Sequence, residues 1–255
     1  MQINISVEGP EGGKSGPVTV GWFLASDKGA VLYDAPERLT SRGMQKTHAK
    51  SASRCPAVVQ MESRYFVVNC PFDLQIGFKR DDKGKAVLVN RAGAASTVRA
   101  AKLGEILTLV NEAEWRFPDR PTVQMSLPYC FIADEPLWLT QLGTFAHYRA
   151  EPLPGTIFGG RFPVHIWPRP LMWAFEWHDP SKDIVLRRGE PLFYVQFEAE
   201  GPERPVQMVE AERTPELAAY LEKLSGVVNY VNQTFSLFKA AEAVRPKRLL
   251  TPKGK

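Results

Sequence analysis

The chain has 255 residues, of which 44% are hydrophobic, and a formal charge of +4. This composition can bury a sizeable core, and the small, interleaved charge argues against a global field that would attract nucleic acid. No run of about 18 apolar residues occurs, which excludes a predicted membrane-spanning helix. We expect one β-rich domain over residues 1–212, a helical segment over 213–241 and a basic tail over 242–255.

Proline and glycine divide most of the chain into short segments with alternating apolar side chains, which is typical of a barrel or sandwich of short strands. The first two segments are expected to form a hairpin around the turn at 27–29, and 72–78 is expected to pair with 86–90. The two runs on either side of Gly189 and Pro191 are predicted to be strands joined by a hinge. The predicted strands are 18–24, 31–33, 65–68, 72–78, 86–90, 122–132, 137–142, 172–177, 184–186 and 193–197.

The segment 172–177 carries the largest apolar load. Trp173, Phe175 and Trp177 alternate, so they share one face of a strand and are predicted to enter a core or a subunit contact. Glu176 lies between them and has two interpretations. It is solvated if the aromatic side chains face inward, and it is a buried acid and candidate catalytic base if the strand is reversed.

A helix is predicted to begin at Thr214, which can cap it, with Pro215 in the first position. An apolar stripe then recurs at helical spacing, and a break near Gly226 is compatible with it. The stripe comprises Leu217, Leu221, Leu224, Val228 and Val231, and Phe235 and Phe238 extend it. The basic residues from Arg245 onward are predicted to form a mobile tail.

The cysteines and histidines give no metal or cofactor signature. Cys55, Cys70 and Cys130 are widely spaced, which predicts free thiols in a reducing, cytoplasmic compartment. The four histidines (His48, His147, His165 and His178) match no metal-ligand spacing, and no nucleotide-binding glycine motif is present, so we predict no metal and no cofactor. The glycine-rich stretch 155–160 is interpreted as a bulge or a tight turn.

Two groups of residues could bind an anion such as a nucleotide or phosphate. The loop 37–54 carries a basic run without intervening acids, formed by Arg38, Arg42, Lys46, Lys50 and Arg54. Arg161, His165, Arg169 and Glu176 are the second group and the predicted ligand-binding residues, although His165 can equally face away from the side that Val164 and Ile166 fill. Because no aromatic residues interleave with the basic run, we do not expect a nucleic-acid partner.

Several segments resemble an uncharacterised protein family of tailed phages and bacteria. The residues that carry the resemblance are Arg54-Cys-Pro-Ala57, Arg64 to Leu74, the Pro128-Tyr129 pair, Leu153 to Ile157 and Gly189 to Phe197. The resemblance spans about residues 54 to 198. It implies a phage or bacterial context, hence the cytoplasm of a bacterial host cell if the protein is phage-encoded, and no established activity.

A fainter similarity links the same region to the β-clip fold of dUTPases and dCTP deaminases. Its pieces here are Pro154-Gly155 with Gly159-Gly160, Phe175-Glu176, and Ile184 to Phe197. Those enzymes carry an aspartate in the glycine turn, whereas this chain has Thr156-Ile157-Phe158 there. The resemblance therefore implies the fold without the chemistry.

The sequence leads to three functional hypotheses. The first is a non-catalytic binding or structural protein with a protein partner or a homo-oligomeric state, whose apolar stripes lie partly at an interface. The second is a nucleotide-processing enzyme of the dUTPase and dCTP deaminase type, which requires a pocket that places Glu176 near basic residues. The third is a nucleic-acid-associated accessory protein, which requires the 37–54 loop and the tail to share one face.

Overall fold

The structure is a computed structural model that describes residues 16–26, 33–40, 51, 54–98, 100–201, 204–228 and 234–254. The helices are α1 (Pro56–Glu62), α2 (Ala100–Ile106), α3 (Pro215–Val228) and α4 (Thr234–Ala243). The strands are β1 (Val18–Leu24), β2 (Glu37–Arg38), β3 (Tyr65–Asn69), β4 (Leu74–Arg80), β5 (Ala86–Asn90), β6 (Leu107–Leu109), β7 (Thr122–Ser126), β8 (Tyr129–Ile132), β9 (Leu137–Leu142), β10 (Gly155–Ile157), β11 (Gly160–Pro163), β12 (Met172–Trp177), β13 (Ile184–Leu186), β14 (Pro191–Ala199) and β15 (Val206–Glu210).

The strands form four sheets that surround a common core. The sheet orders are β15-β1-β8, β10-β12-β7-β6, β11-β9-β14-β3-β2 and β13-β4-β5. Within the described ranges no sheet closes into a barrel. The prediction of a mainly β fold of short strands with a C-terminal helix is confirmed, and the likeness to the β-clip fold stays a prediction.

Local turn chemistry explains the hairpin that the sequence predicted correctly. β4 and β5 form the expected hairpin, closed by the bond from Asp81 N to Lys85 O, with Gly84 at a φ of +78°. Gly189 has a φ of +80° at the predicted hinge. The hinge does not join two neighbours, because β13 pairs with β4 whereas β14 lies between β3 and β9.

The predicted opening hairpin is not seen among the described residues, and most of its second strand lies outside them. β1 pairs with β15 in parallel over Val18–Trp22 and with β8 in antiparallel orientation over Gly21–Leu24. Tyr33 is not in a strand, and residues 27–32 lie outside the described part of the chain. Tyr33 instead packs its ring edge-on against Tyr129, with the centroids 5.7 Å apart.

The alternating aromatic side chains of β12 share one buried face, as predicted, and of the two predicted environments they occupy the core. Trp173, Phe175 and Trp177 are buried, and the Trp173 and Phe175 rings stack with centroids 5.0 Å apart and an interplanar angle of 7°. Gly155 is required where β10 pairs with β12, because a Cβ atom there would lie 2.0 Å from the carbonyl oxygen of Glu176. In the glycine-rich stretch, Gly155 therefore lets β10 approach β12 closely. The chain then continues into β11, which belongs to another sheet.

The C-terminal helices and the segment after them cover the β15-β1-β8 sheet. The Thr214 hydroxyl accepts a hydrogen bond from Leu217 N, which confirms the predicted cap, and α3 continues through Gly226 to Val228. Leu217, Tyr220 and Leu224 of α3 form a second apolar cluster with side chains of β1, β8 and α4. Val231 lies outside the described residues.

The segment 245–254 is docked, so the prediction of a mobile tail is wrong. Leu249 and Leu250 are buried, and their amides donate to Oδ1 of Asp134 at 2.6 and 3.1 Å. Backbone bonds from Glu212 N to Thr251 O and from Lys253 N to Glu210 O extend the contact. The prediction rested on the basic composition of this segment and did not take into account Leu249 and Leu250, which pack in an apolar site. None of the described helices has the length and apolar character that crossing a bilayer requires.

Candidate functional site

The structure distributes the four predicted ligand-binding residues over two places. Arg161 lies on β11, His165 in the turn that follows, and Arg169 in the segment that leads into β12. Glu176 lies on β12 in a different sheet. Arg161 and Arg169 flank one set of aromatic rings, whereas Glu176 belongs to a separate polar cluster.

Glu176 is buried although the aromatic residues of β12 face the core. Its exposed fraction is 3%, and in the strand register it lies between Thr156 of β10 and Thr122 of β7. Its Oε1 atom is 2.9 Å from Nε2 of His178 and 3.4 Å from a guanidinium nitrogen of Arg120. The expectation that inward aromatic side chains leave Glu176 solvated is therefore wrong, because Arg120 and His178 cover the opposite face of the strand.

The second carboxylate oxygen of Glu176 is the unusual atom of this cluster. Oε2 is buried and has no hydrogen-bond partner among the described residues. A buried carboxylate oxygen without a partner is costly, and such atoms are uncommon in folded proteins. The Arg120 guanidinium reduces this cost by its charge, and it is itself held over the ring of Phe117 at 4.2 Å.

The His178 imidazole is not arranged as in a nucleophile–histidine–acid triad. Thr156 Oγ1 lies 3.3 Å from Nε2, which is the same nitrogen that contacts Glu176. A triad needs the hydroxyl and the carboxylate on opposite ring nitrogens, so that one receives a proton while the other orients the ring. A cavity of about 530 Å³ lies next to Pro154 and Ser181, but neither Glu176 nor His178 lines it.

Arg161 and Arg169 lie at the two ends of a row of aromatic rings at the surface. We call this set of Arg161, Trp138, Phe238, Trp167 and Arg169 the aromatic ladder. Arg161 lies 4.3 Å from the Trp138 ring centroid, and Arg169 lies 4.9 Å from that of Trp167. Phe238 of α4 bridges the two indole rings with centroid distances of 6.4 and 5.5 Å.

The three rings of the ladder are half-buried, and they come from β9, α4 and the segment after β11. The Arg161 guanidinium also pairs with Glu198 at 2.6 Å, which fixes its position over Trp138. For Arg169, by contrast, the stacking on Trp167 is the only interaction found with the described residues. Neighbouring atoms partly desolvate the Arg169 guanidinium and lower its pKa, although the residue as a whole is exposed to solvent.

A groove begins where the aromatic ladder ends. It lies between α3 and the segment 167–172 and has a volume of about 920 Å³. Trp167 and Arg169 line both the ladder and the groove. The two features therefore form one continuous surface of aromatic, aliphatic and arginine side chains.

His165 serves the fold rather than this surface. Its Nδ1 atom lies 3.1 Å from both the amide nitrogen and the carbonyl oxygen of Leu137. Burial lowers the pKa of His165, and the nearby Arg245 guanidinium acts in the same direction. Arg245 also donates to the carbonyls of His165 and Asp134, so the C-terminal segment is attached at this turn.

The predicted basic loop is only partly described. Arg38 donates to the carbonyls of Ser63 and Val206 and lies over the Phe66 ring at 5.2 Å, which commits its guanidinium to the fold. Arg54 is exposed. The other three residues of the run, Arg42, Lys46 and Lys50, lie outside the described residues. The third hypothesis requires the loop and the tail to share a basic face. Arg38 and Arg245 do not form such a face, because both guanidinium groups bind backbone carbonyls.

The metal and thiol chemistry of the described part of the chain is limited. No group of three or more His, Cys, Asp or Glu side chains within it could hold a metal ion. All three cysteines are free thiols. Burial raises the pKa of Cys70 to about 12, so this thiol is a poor nucleophile at neutral pH.

Sequence reasoning assigned no site role to Arg120, Trp138 or His178, and it placed Phe238 only in the apolar stripe of the predicted helix. The spacing of Glu176 and His178 did carry a signal, because residues two apart face the same side of an extended chain. No local signal connects Trp138 with Phe238. No protein-family model matches this chain, and a search of curated proteins found no significant similarity.

Proposed function

We propose that this chain is a non-catalytic binding protein of a phage or bacterium that holds a protein partner or a second copy of itself. The observation that carries the proposal is the aromatic ladder, in which an arginine stacks on each of two half-buried tryptophans joined by Phe238. The phage or bacterial context is supported by the resemblance of residues 54–198 described above.

Tryptophan and arginine are the side chains that most often dominate the energy of protein interfaces. The edge-to-face contact of Phe238 with Trp138 and its tilted contact with Trp167 restrict the rotation of the rings before a partner arrives, so binding immobilises few additional side chains. The groove next to the ladder enlarges the apolar area that a partner could cover. The carboxylate of Glu176, by contrast, is covered by Arg120 and His178, which favours binding over catalysis.

The proposal is tested by removing the central ring of the ladder. Phe238→Ala should weaken partner binding or self-association at least about tenfold, because it removes the ring that bridges the two indole rings. Binding is measured by affinity isolation from bacterial extract with quantitative mass spectrometry, and self-association by sedimentation velocity.

Phe145→Ala is the matched control, since Phe145 is 60% exposed and lies outside the ladder. The proposal would be contradicted if the wild-type chain stayed monomeric and captured no partner protein that the Phe238→Ala variant fails to capture. Equal effects of the two substitutions would also contradict it.

A second candidate function is a nucleotide-processing enzyme, which the contact between buried Glu176 and His178 favours. A carboxylate that fixes the imidazole through Nε2 leaves Nδ1 as the basic atom. Purified protein is incubated with dUTP or dCTP and magnesium while pyrophosphate, ammonia and dUMP are followed. We expect no turnover; turnover that disappears in Glu176→Gln and persists in His147→Gln would replace the binding proposal.

A further inference from the structure

The groove has an apolar floor and two different walls. Leu127, Leu171 and Leu224 line it and are themselves buried, whereas Trp167 and Leu221 are half-exposed at its sides. One wall is the segment 167–172 and the other is α3. Its volume of about 920 Å³ lies near the upper end of the range for small-molecule pockets.

The backbone of the 167–172 wall offers almost no hydrogen-bond donors to a ligand. Pro168 and Pro170 have no N–H group. The amide of Trp167 donates to Pro163 O, and that of Leu171 donates to Tyr129 O. The other wall is a helix, whose amides bond internally. An extended peptide that adds as a strand needs a row of free donors and acceptors, so this groove does not suit it.

A helix satisfies its own backbone and needs only an apolar surface of the right shape. The α3 wall supplies a close-approach surface, because Ala218, Ala219 and Ser225 line the groove with small side chains. Small side chains at such positions let two helices pack at the shorter end of the usual interaxial distance of about 8–10 Å. The shape of the groove therefore favours a helical ligand.

The charges of the groove favour an acidic ligand. Arg169 and Arg213 line it, and within the described residues neither has an ion pair with an acidic side chain. Arg213 precedes the cap residue Thr214 and donates to the carbonyl oxygen of Ala25. Glu222 is the acidic side chain among the lining residues. The two arginines outnumber this glutamate, so the groove lining is net positive.

From these observations we infer that the groove binds an amphipathic helix of a partner protein, with an apolar stripe toward Trp167 and Leu221 and acidic residues toward Arg169 and Arg213. This inference rests on the proposed binding function and assigns the class of partner. It predicts a ligand with apolar residues at i, i+3 or i+4, and i+7, and with glutamate or aspartate beside the stripe.

The probe is a phage-displayed library of random 16-residue peptides selected on the full chain. Enriched peptides are synthesised, and their affinities for the variants are measured by fluorescence anisotropy. Ala219→Trp fills the groove from α3 and should remove binding. Arg169→Glu should weaken it at least about tenfold through like-charge repulsion. Lys223→Glu is the matched control on the exposed part of α3 outside the groove lining and should change affinity less than about twofold.

Folding of each variant is checked by circular dichroism and melting temperature, so that a loss of binding is not a loss of structure. Enrichment of acidic peptides with helical spacing, lost in Ala219→Trp, supports the inference. Enrichment of alternating, proline-rich or basic peptides at the groove overturns it, and so does a selection without any enrichment. If the groove fails while Phe238→Ala still abolishes partner binding, the ladder and the proposed function stand without the helical ligand.

Discussion

Removing the ring of Phe175 tests the core that the four sheets share. Phe175 is fully buried and stacks on Trp173. Phe175→Ala removes a large buried apolar area and leaves a cavity, which costs about 3–5 kcal/mol of unfolding free energy for a phenylalanine in a core. The stacked pair contributes about 0.5–1.5 kcal/mol of interaction beyond area burial, so we expect the upper half of that range. The measurement is urea denaturation followed by far-UV circular dichroism, because the substitution itself perturbs the fluorescence of Trp173.

Phe158→Ala is the matched control, since Phe158 is 39% exposed and should cost less than about 1 kcal/mol. The m-values of the two variants and of the wild type must agree for the comparison to be valid. A loss below about 1 kcal/mol in Phe175→Ala would refute the placement of β12 in the core. Equal losses in the two variants would refute it as well, because the reasoning depends on the difference in burial.

Two further predictions concern the C-terminal segment and the turn to which it is attached. Truncation after Val244 removes the buried Leu249 and Leu250, so it should lower the unfolding free energy by at least about 3 kcal/mol. Truncation after Pro252 is the control. An unchanged melting temperature in the chain truncated after Val244 would show that the segment is dispensable. Burial lowers the pKa of His165 below its ordinary value of 6.5; the hydrogen bond with the Leu137 backbone opposes this shift, Arg245 reinforces it and Glu242 opposes it. The unfolded state therefore binds a proton more readily, and the contribution of neutral His165 is fully present above about pH 6.5 and is lost as the pH falls through the folded pKa. Denaturation midpoints between pH 7.5 and 5 should decline less steeply in His165→Gln than in the wild type, and parallel curves would contradict this assignment.

The sequence by itself determined the features that depend on neighbouring residues. The alternation of Trp173, Phe175 and Trp177 placed these side chains correctly on one buried face of β12, because a period of two fixes which side chains share a face. Thr214 and Pro215 identified the start of α3, because a helix N-terminus needs a side-chain acceptor for its free amides. Gly189 marked a turn, since glycine adopts a positive φ without strain.

Only the tertiary structure decided which segments meet. Periodicity states that a segment is a strand but not which edge it pairs with, so the place of β1 between β15 and β8 could not be predicted from its own residues. The aromatic ladder joins Trp138 and Phe238 across different elements, and no local pattern connects them. The same holds for Glu176, whose burial depends on Arg120 from another part of the chain, and for the basic C-terminal segment, whose leucines find an apolar site beside Asp134. Contacts between distant segments are chosen by packing of the whole chain, and a single sequence reports only the local preferences that enter that choice.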